Sequence, residues 1–320
     1  MKSIKTFFCS AALFIFILLS SVFLAISRDA QAQMVSEPIT YNFTYTPDGD
    51  GNPLIQVQLS KDKTSTFAVD TGAGGCFIAE KLANLLKLPI ETQKNANGKT
   101  DRLMKVTGVQ IGPLTANIPF YVVRDDTLAN APDRPAEENV QGIIGSTMFI
   151  NNAVLFDFRQ HQFTLFIGGK LTSEQREKVG MKDAVVVPQI EVENGVFSIL
   201  GQINDKESIA FIVDTGSDAV IISNEKAHKL KLKTLGKLRN RYITFGKVKF
   251  DTSSLDSLAF GSLLMKNVEV EYPDKPFKYT TQLGMNILSH FRVLLDYPQH
   301  MAYFKPITPA TDAPKASDKR

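Results

Sequence analysis

Two aspartates sit in matching surroundings. Phe67-Ala68-Val69-Asp70-Thr71-Gly72-Ala73 returns 144 residues later as Phe211-Ile212-Val213-Asp214-Thr215-Gly216-Ser217. Three apolar residues running into Asp-Thr-Gly read as a buried strand that ends in a tight loop carrying a carboxylate. Two such loops meeting across a pseudo-two-fold axis would place Asp70 and Asp214 side by side. Like charges that close cannot both ionise cheaply, so one proton is shared. The ionised member can then take a proton from water while the protonated member polarises an electrophile. That is acid/base chemistry with no metal, no cofactor and no covalent intermediate.

The elements around the loops repeat as well. Residues 54–59 alternate apolar and polar, turn at 61–63 and return through 66–69 into the first loop. Residues 196–203, the turn 204–206 and residues 209–213 do the same before the second. Each loop is followed by a strand and a short helix, 76–78 with 79–86 and 220–222 with 224–230, the latter N-capped by Ser223. Ile143-Ile144-Gly145 matches Gln282-Leu283-Gly284, and the stretch 154–161 matches 293–300, both at an offset of 139. A repeat of this length implies two copies of one supersecondary plan. Residues 41–45 read as an edge strand, 47–52 as a turn cluster, and 172–180 as a helical connector with a Thr172/Gln175 capping box.

These motifs resemble the retropepsin-like aspartic proteases, duplicated in tandem as in the bilobal pepsin-like relatives. The carriers are the two Asp-Thr-Gly loops and the elements ending at Gly145 and Gly284, within residues 50–305. The resemblance implies a mostly β, bilobal double-psi acid-protease fold with short helices. It implies an aspartic endopeptidase with Asp70 and Asp214 as the catalytic pair. Thr71 and Thr215 would bond across the lobe interface. Gly72 and Gly216 would let backbone pass close to the carboxylates. Ala73 and Ser217 complete the loops. A serine at the latter place donates to its aspartate in pepsin-like relatives, so Asp214 is expected to be the ionised member and Asp70 the protonated one. Asp218, with Gly74 as its counterpart, stands where retropepsins bind substrate backbone; an acidic turn residue near solvent is the other reading. The flap is expected at 95–98, with Gly98 against substrate. It has no tyrosine, and Ser146 and Met285 replace the arginine that often follows the brace glycine.

Length and composition set the bounds. The chain has 320 residues, room for two domains, with 43% apolar and 22% charged residues, as in a globular protein. Lys2, Lys5, an apolar run at 7–26 and Ala30-Gln31-Ala32 read as a signal peptide over 1–32. The run is near bilayer length, so a retained membrane anchor is the alternative. The expected division is an N-terminal lobe at 33–170, a C-terminal lobe at 171–306 and a disordered tail at 307–320. Only Cys76 lies beyond the leader, which leaves no internal disulfide and fits a bacterial periplasmic or secreted protein. Residues 33–170 carry a net charge of −2 and residues 171–320 carry +3, too little for nucleic-acid binding. The expected partner is a peptide or protein substrate between the lobes, and one chain supplies both aspartates, so a monomer suffices.

Other candidates read as structural. Cys76 aligns with Val220 and reads as a small buried hydrophobe. His161 and His300, and Asp157 and Asp296, recur in matching turns. No H-E-x-x-H occurs, so a zinc protease is not supported. The reading that rivals the enzyme is a non-catalytic, exported peptide-binding protein on the same scaffold.

Overall fold

A computed structural model describes residues 37–95, 98–125, 128, 139–190, 195–236, 239–243, 246–275 and 281–307, with the side chains of 239–247 outside the description. The leader, the tail beyond 307 and flap residues 96–97 therefore lie outside the described residues. Contacts separate residues up to Pro38 from the compact unit that begins at Ile39. Among the described residues no helix is long and apolar enough to cross a membrane.

The fold is mostly β and bilobal. In the first lobe, Pro53–Ser60 pairs antiparallel with Lys63–Val69, burying Val57, Phe67 and Val69 while Gln56 faces out. Alternation of this kind fixes which face packs inward. Lys63–Val69 then pairs parallel with Gly142–Ile144, which in turn runs antiparallel to Cys76–Ala79. The strand ending at Gly145 is thus threaded between the strands before and after the Asp loop. The second lobe repeats this arrangement. Glu207–Val213 pairs parallel with Gln282–Leu283, and Val220–Ile221 pairs antiparallel with the same strand. Long hairpins, Thr100–Ile111 with Leu114–Val123 and Gly246–Phe260 with Leu263–Pro273, extend each sheet. Each sheet curls back on itself where Val57 meets Ile111 and Ile203 meets Leu258. The result is two barrel-like lobes in a double-psi arrangement.

A six-stranded layer, continuous through Val185–Ile190 with the sheet of the second lobe, lies under both lobes. Its order is Ile39–Thr44, Gln162–Ile167, Ala153–Asp157, Phe291–Asp296, Met301–Pro306, Val185–Ile190. Three strands come from each half, and the seam is the antiparallel pairing of Ala153–Asp157 with Phe291–Asp296. Arg292 Nε lies 2.9 Å from Asp157 Oδ2 across that seam, a charge contact rather than an aligned hydrogen bond. The helices are short and capped by local chemistry. Ser223 accepts from the Lys226 amide at 3.2 Å, and Thr172 and Gln175 form a reciprocal capping box at 3.2 and 2.8 Å. His161 and His300 are exposed turn residues in the left-handed region, at φ 51° and 55°. Asp157 and Asp296 accept the Gln160 and Gln299 amides at 3.1 Å, closing those turns. Buried Cys76 lies 3.6 Å from Thr147 Oγ1.

Behind each Asp loop the threaded glycine has no room for a side chain. A Cβ on Gly284 would lie 2.6 Å from the Ser217 carbonyl oxygen and 2.7 Å from the Ala219 carbonyl carbon. Neither is a flexible side chain that could yield. Gly284→Ala is therefore expected to lower stability by about 1–3 kcal/mol. Gly49→Ala, with nothing within 4 Å, should stay within about 0.5 kcal/mol of the parent. Urea unfolding of the two variants checks the contrast.

Candidate active site

The two loops meet through their threonines. Thr71 Oγ1 donates to the Val213 carbonyl at 2.6 Å and accepts from the Thr215 amide at 3.1 Å. Thr215 Oγ1 donates to the Val69 carbonyl at 2.7 Å and accepts from the Thr71 amide at 3.1 Å. Both side chains are buried, 0% and 1% exposed, so these four bonds are made away from water. Each hydroxyl satisfies backbone groups of the opposite lobe. Neither loop completes its own hydrogen bonding at this point without the other.

The brace acts from behind. The Asp70 amide donates to the Ile144 carbonyl at 3.0 Å and the Ser146 amide to the Ala73 carbonyl at 2.8 Å. In the second lobe the Asp214 amide donates to Leu283 at 3.1 Å and the Met285 amide to Ser217 at 2.7 Å. Each loop is held at its first and fourth residues.

Between the threonines and the brace the carboxylates face one another. A Cβ on Gly72 would lie 2.5 and 2.6 Å from the Asp214 carboxylate oxygens, and one on Gly216 would lie 2.6 and 2.8 Å from those of Asp70. Only glycine fits at either place. The carboxyl groups of Asp70 and Asp214 are hydrogen-bonded to each other. Asp214 is 3% exposed and Asp70 is half-buried.

Burial and mutual charge make the two carboxyls share a proton. Burial, followed by the charge of Asp70, pushes the Asp214 carboxyl well above the usual carboxylate range. Burial also raises Asp70, but hydrogen bonds from Asp214 and from the Gly72 and Ala73 amides oppose it. Those amides lie 2.8 and 2.9 Å from Asp70 Oδ1; Asp214 Oδ1 accepts the Gly216 amide at 2.8 Å, and the Gly72 amide opposes the rise of Asp214 as well. Both carboxyls are raised, Asp214 the further, so the pair holds a proton between them. The contact behind the expectation that Asp214 is the ionised member is not made. That expectation needed the Ser217 hydroxyl on Asp214, but Ser217 Oγ donates to the Ala219 carbonyl at 3.0 Å instead.

Two further expected residues lie away from the pair. Gly98 is at the exposed tip of the hairpin formed by Ile90–Lys94 and Thr100–Ile111, and a Cβ there would meet nothing within 4 Å. Asp218 Oδ1 accepts from Asn52 Nδ2 at 2.7 Å, across the lobe interface. Sequence reasoning gave Asn52 no role beyond a turn. It also missed Tyr297, whose fully buried hydroxyl has no protein partner and is held protonated by burial and by the charge of Asp70. The repeat carried a signal here, because Tyr297 aligns with Phe158 and breaks the symmetry by one hydroxyl. Among the described residues no group of three or more His, Cys, Asp or Glu side chains could hold a metal ion.

A buried carboxyl pair gripped by exchanged threonines and braced by threaded glycines defines an aspartic-protease type of site. Comparison with known proteins agrees, half by half. Residues 55–148 match the aspartyl protease family model and residues 199–290 match that of the gag-polyprotein putative aspartyl protease. Together the matches take in more than half of the chain and both Asp loops. The chain belongs to the retropepsin-like aspartic protease family. Among solved structures it is similar to a retropepsin-like aspartic protease from Rickettsia conorii, at 24% identity and a TM-score of 0.29, over 38% of this chain and 86% of that one. No curated protein matches.

Two outcomes follow from this geometry. A carboxyl raised in the folded state favours folding at low pH, and that contribution is lost as pH rises through the folded value. The protein should therefore lose stability as pH climbs above the ordinary carboxylate range, and Asp214→Asn, which keeps only the buried Asp70 carboxyl, should lose less. Thermal unfolding of the two at acidic and neutral pH checks this, with the variant ahead only at neutral pH. Thr215→Val keeps the side-chain shape but strands the Val69 carbonyl and the Thr71 amide, which should cost about 2 kcal/mol or more in urea unfolding.

Proposed function

We propose that the chain is an aspartic endopeptidase in which Asp70 is the general base and Asp214 the general acid. The observation that carries this reading is the mutually hydrogen-bonded carboxyl pair, desolvated and charge-asymmetric, at the junction of two lobes. A water held by both carboxyls gives a proton to Asp70 as its oxygen attacks the scissile carbonyl carbon. Asp214 gives its proton to the carbonyl oxygen as that oxygen becomes tetrahedral. Collapse of the intermediate breaks the C–N bond. The amine leaves with the proton taken up by Asp70, and Asp214 regains one from the collapsing hydroxyl. The two apparent pKa values belong to the pair as a unit.

The substrate is an extended peptide lying between the lobes, and a single chain suffices because it supplies both carboxyls. The charged leader, its apolar run and its Ala-x-Ala site support export to the periplasm or beyond, with anchoring if the leader is retained.

Asp70→Asn is expected to abolish cleavage of denatured protein between pH 4 and 7 while leaving the circular dichroism spectrum intact. Retained cleavage would remove the proposal. A parent chain that binds a statine inhibitor yet cleaves no member of a peptide library would instead be a peptide-binding scaffold. The proton assignment has its own check. Because the Ser217 hydroxyl is committed to Ala219, Ser217→Ala should leave the acid limb of the pH–rate profile unmoved. A raised acid limb would return the ionised role to Asp214.

A further inference from the structure

Away from the threonines and the sheet seam, the lobes also meet at the 47–52 turn. The 47–52 turn of the first lobe wraps around the buried Asp48 carboxylate. Asp48 Oδ1 accepts the amides of Asp50 and Asn52 at 3.0 and 2.9 Å, and both Asp48 oxygens accept Asn52 Nδ2, at 3.2 and 3.1 Å. Asn52 is only 5% exposed. The same side-chain nitrogen donates at 2.7 Å to Asp218 Oδ1 in the second lobe. One buried amide therefore joins two carboxylates from opposite lobes.

Asp218 is four residues beyond Asp214 in the same loop. Its backbone carbonyl accepts the Asn286 amide at 2.9 Å, and Asn286 Oδ1 in turn accepts the Val220 amide at 2.9 Å. That end of the loop is fixed to the helix Met285–Leu288 and has little slack. The chemistry also fixes which way Asn52 faces, since only its NH2 can meet two carboxylates. Its Oδ1 is left buried with no protein partner, which is unfavourable. Asn52 makes the tie to Asp218 in spite of that. The first lobe has Gly74 at the place of Asp218, so the tie has no twin.

We propose that Asn52 is a positioning residue for the carboxyl pair: through Asp218 it holds the Asp214 loop at the spacing where Asp70 and Asp214 share one proton. The threonine bonds join the lobes at the Asp-Thr-Gly turns and the sheet seam joins them beneath. The Asn52–Asp218 bond adds a tie at the far end of the second loop, reaching it directly from the first lobe. Interaction between the carboxylates falls with their separation, so a looser spacing brings their two apparent pKa values together. The Tyr297 phenol, in electrostatic contact with Asp70, is left in place by all of the variants below. This inference rests on the endopeptidase reading of the pair.

The test uses the full chain with Asn52→Leu, Asp218→Leu, both together, and Asp218→Asn, which keeps an acceptor oxygen toward Asn52. Two readouts are taken. One is the pH–rate profile of peptide cleavage. The other is a ¹³C NMR titration of the aspartate carboxyls, which needs no turnover. Each leucine variant should lower kcat about tenfold. Each should also lower the higher apparent pKa of the pair by about one pH unit. The double variant should be no worse than either single one, because both remove the same bond. Asp218→Asn should keep the parent separation. Leucine variants that lose thermal stability but leave both apparent pKa values in place would overturn the proposal, as would shifts that add in the double variant. Absence of cleavage by the parent chain would count against the endopeptidase reading alone, and the titration would still decide the role of Asn52.

Discussion

The structure depends on an exchange of hydrogen bonds between two threonines. Thr71 completes the backbone of the second Asp loop and Thr215 completes that of the first. Buried backbone groups are costly to leave unpaired, so each lobe is satisfied only in the company of the other. The separation of the aspartates follows from this. Two carboxyls held that close, with glycine on either side and little water, cannot both be charged. Backbone amides on both sides, Gly72 and Ala73 at Asp70 and Gly216 and Gly72 at Asp214, hold the carboxyls in that arrangement.

The site is held against its own electrostatics. Burial raises both carboxyls, and the pair would be happier apart at neutral pH. What opposes separation is spread over the surroundings: the threonine exchange, the glycine strands threaded behind each loop, and the shared sheet beneath. None of these groups need touch a substrate. Their work is to keep an unfavourable arrangement in place, which is how local strain and desolvation persist at functional sites.

The chain reveals its short-range chemistry more readily than its long-range contacts. The Asp loops were legible because each is compressed into seven residues whose types have few other uses together. The threaded elements at Gly145 and Gly284 were legible because a repeat exposes them. Local caps, such as Thr172 with Gln175 and Ser223 with Lys226, depend on neighbours three residues away and could be read directly. The partner of Asn52, by contrast, is 166 residues distant. Nothing in a Pro/Asp/Gly turn announces that its last residue will reach another lobe. The pairing of Ala153–Asp157 with Phe291–Asp296 is invisible for the same reason. The contact of Ser217 was missed for a different reason. A serine beside an aspartate can donate either to it or to a nearby carbonyl, and loop geometry, not residue type, made the choice at Ser217.

The sheet beneath the lobes takes three strands from each half, and the two sets touch along a single seam. Severed from its companion, either half would carry a bare strand edge of unpaired amides and carbonyls, a template for any matching chain. A solitary half is therefore adhesive by construction and would tend to dimerise with its own kind. Joining the halves in one polypeptide hides that edge, and it frees each copy to drift from the other, since a substitution is no longer imposed on both sides of the axis at once.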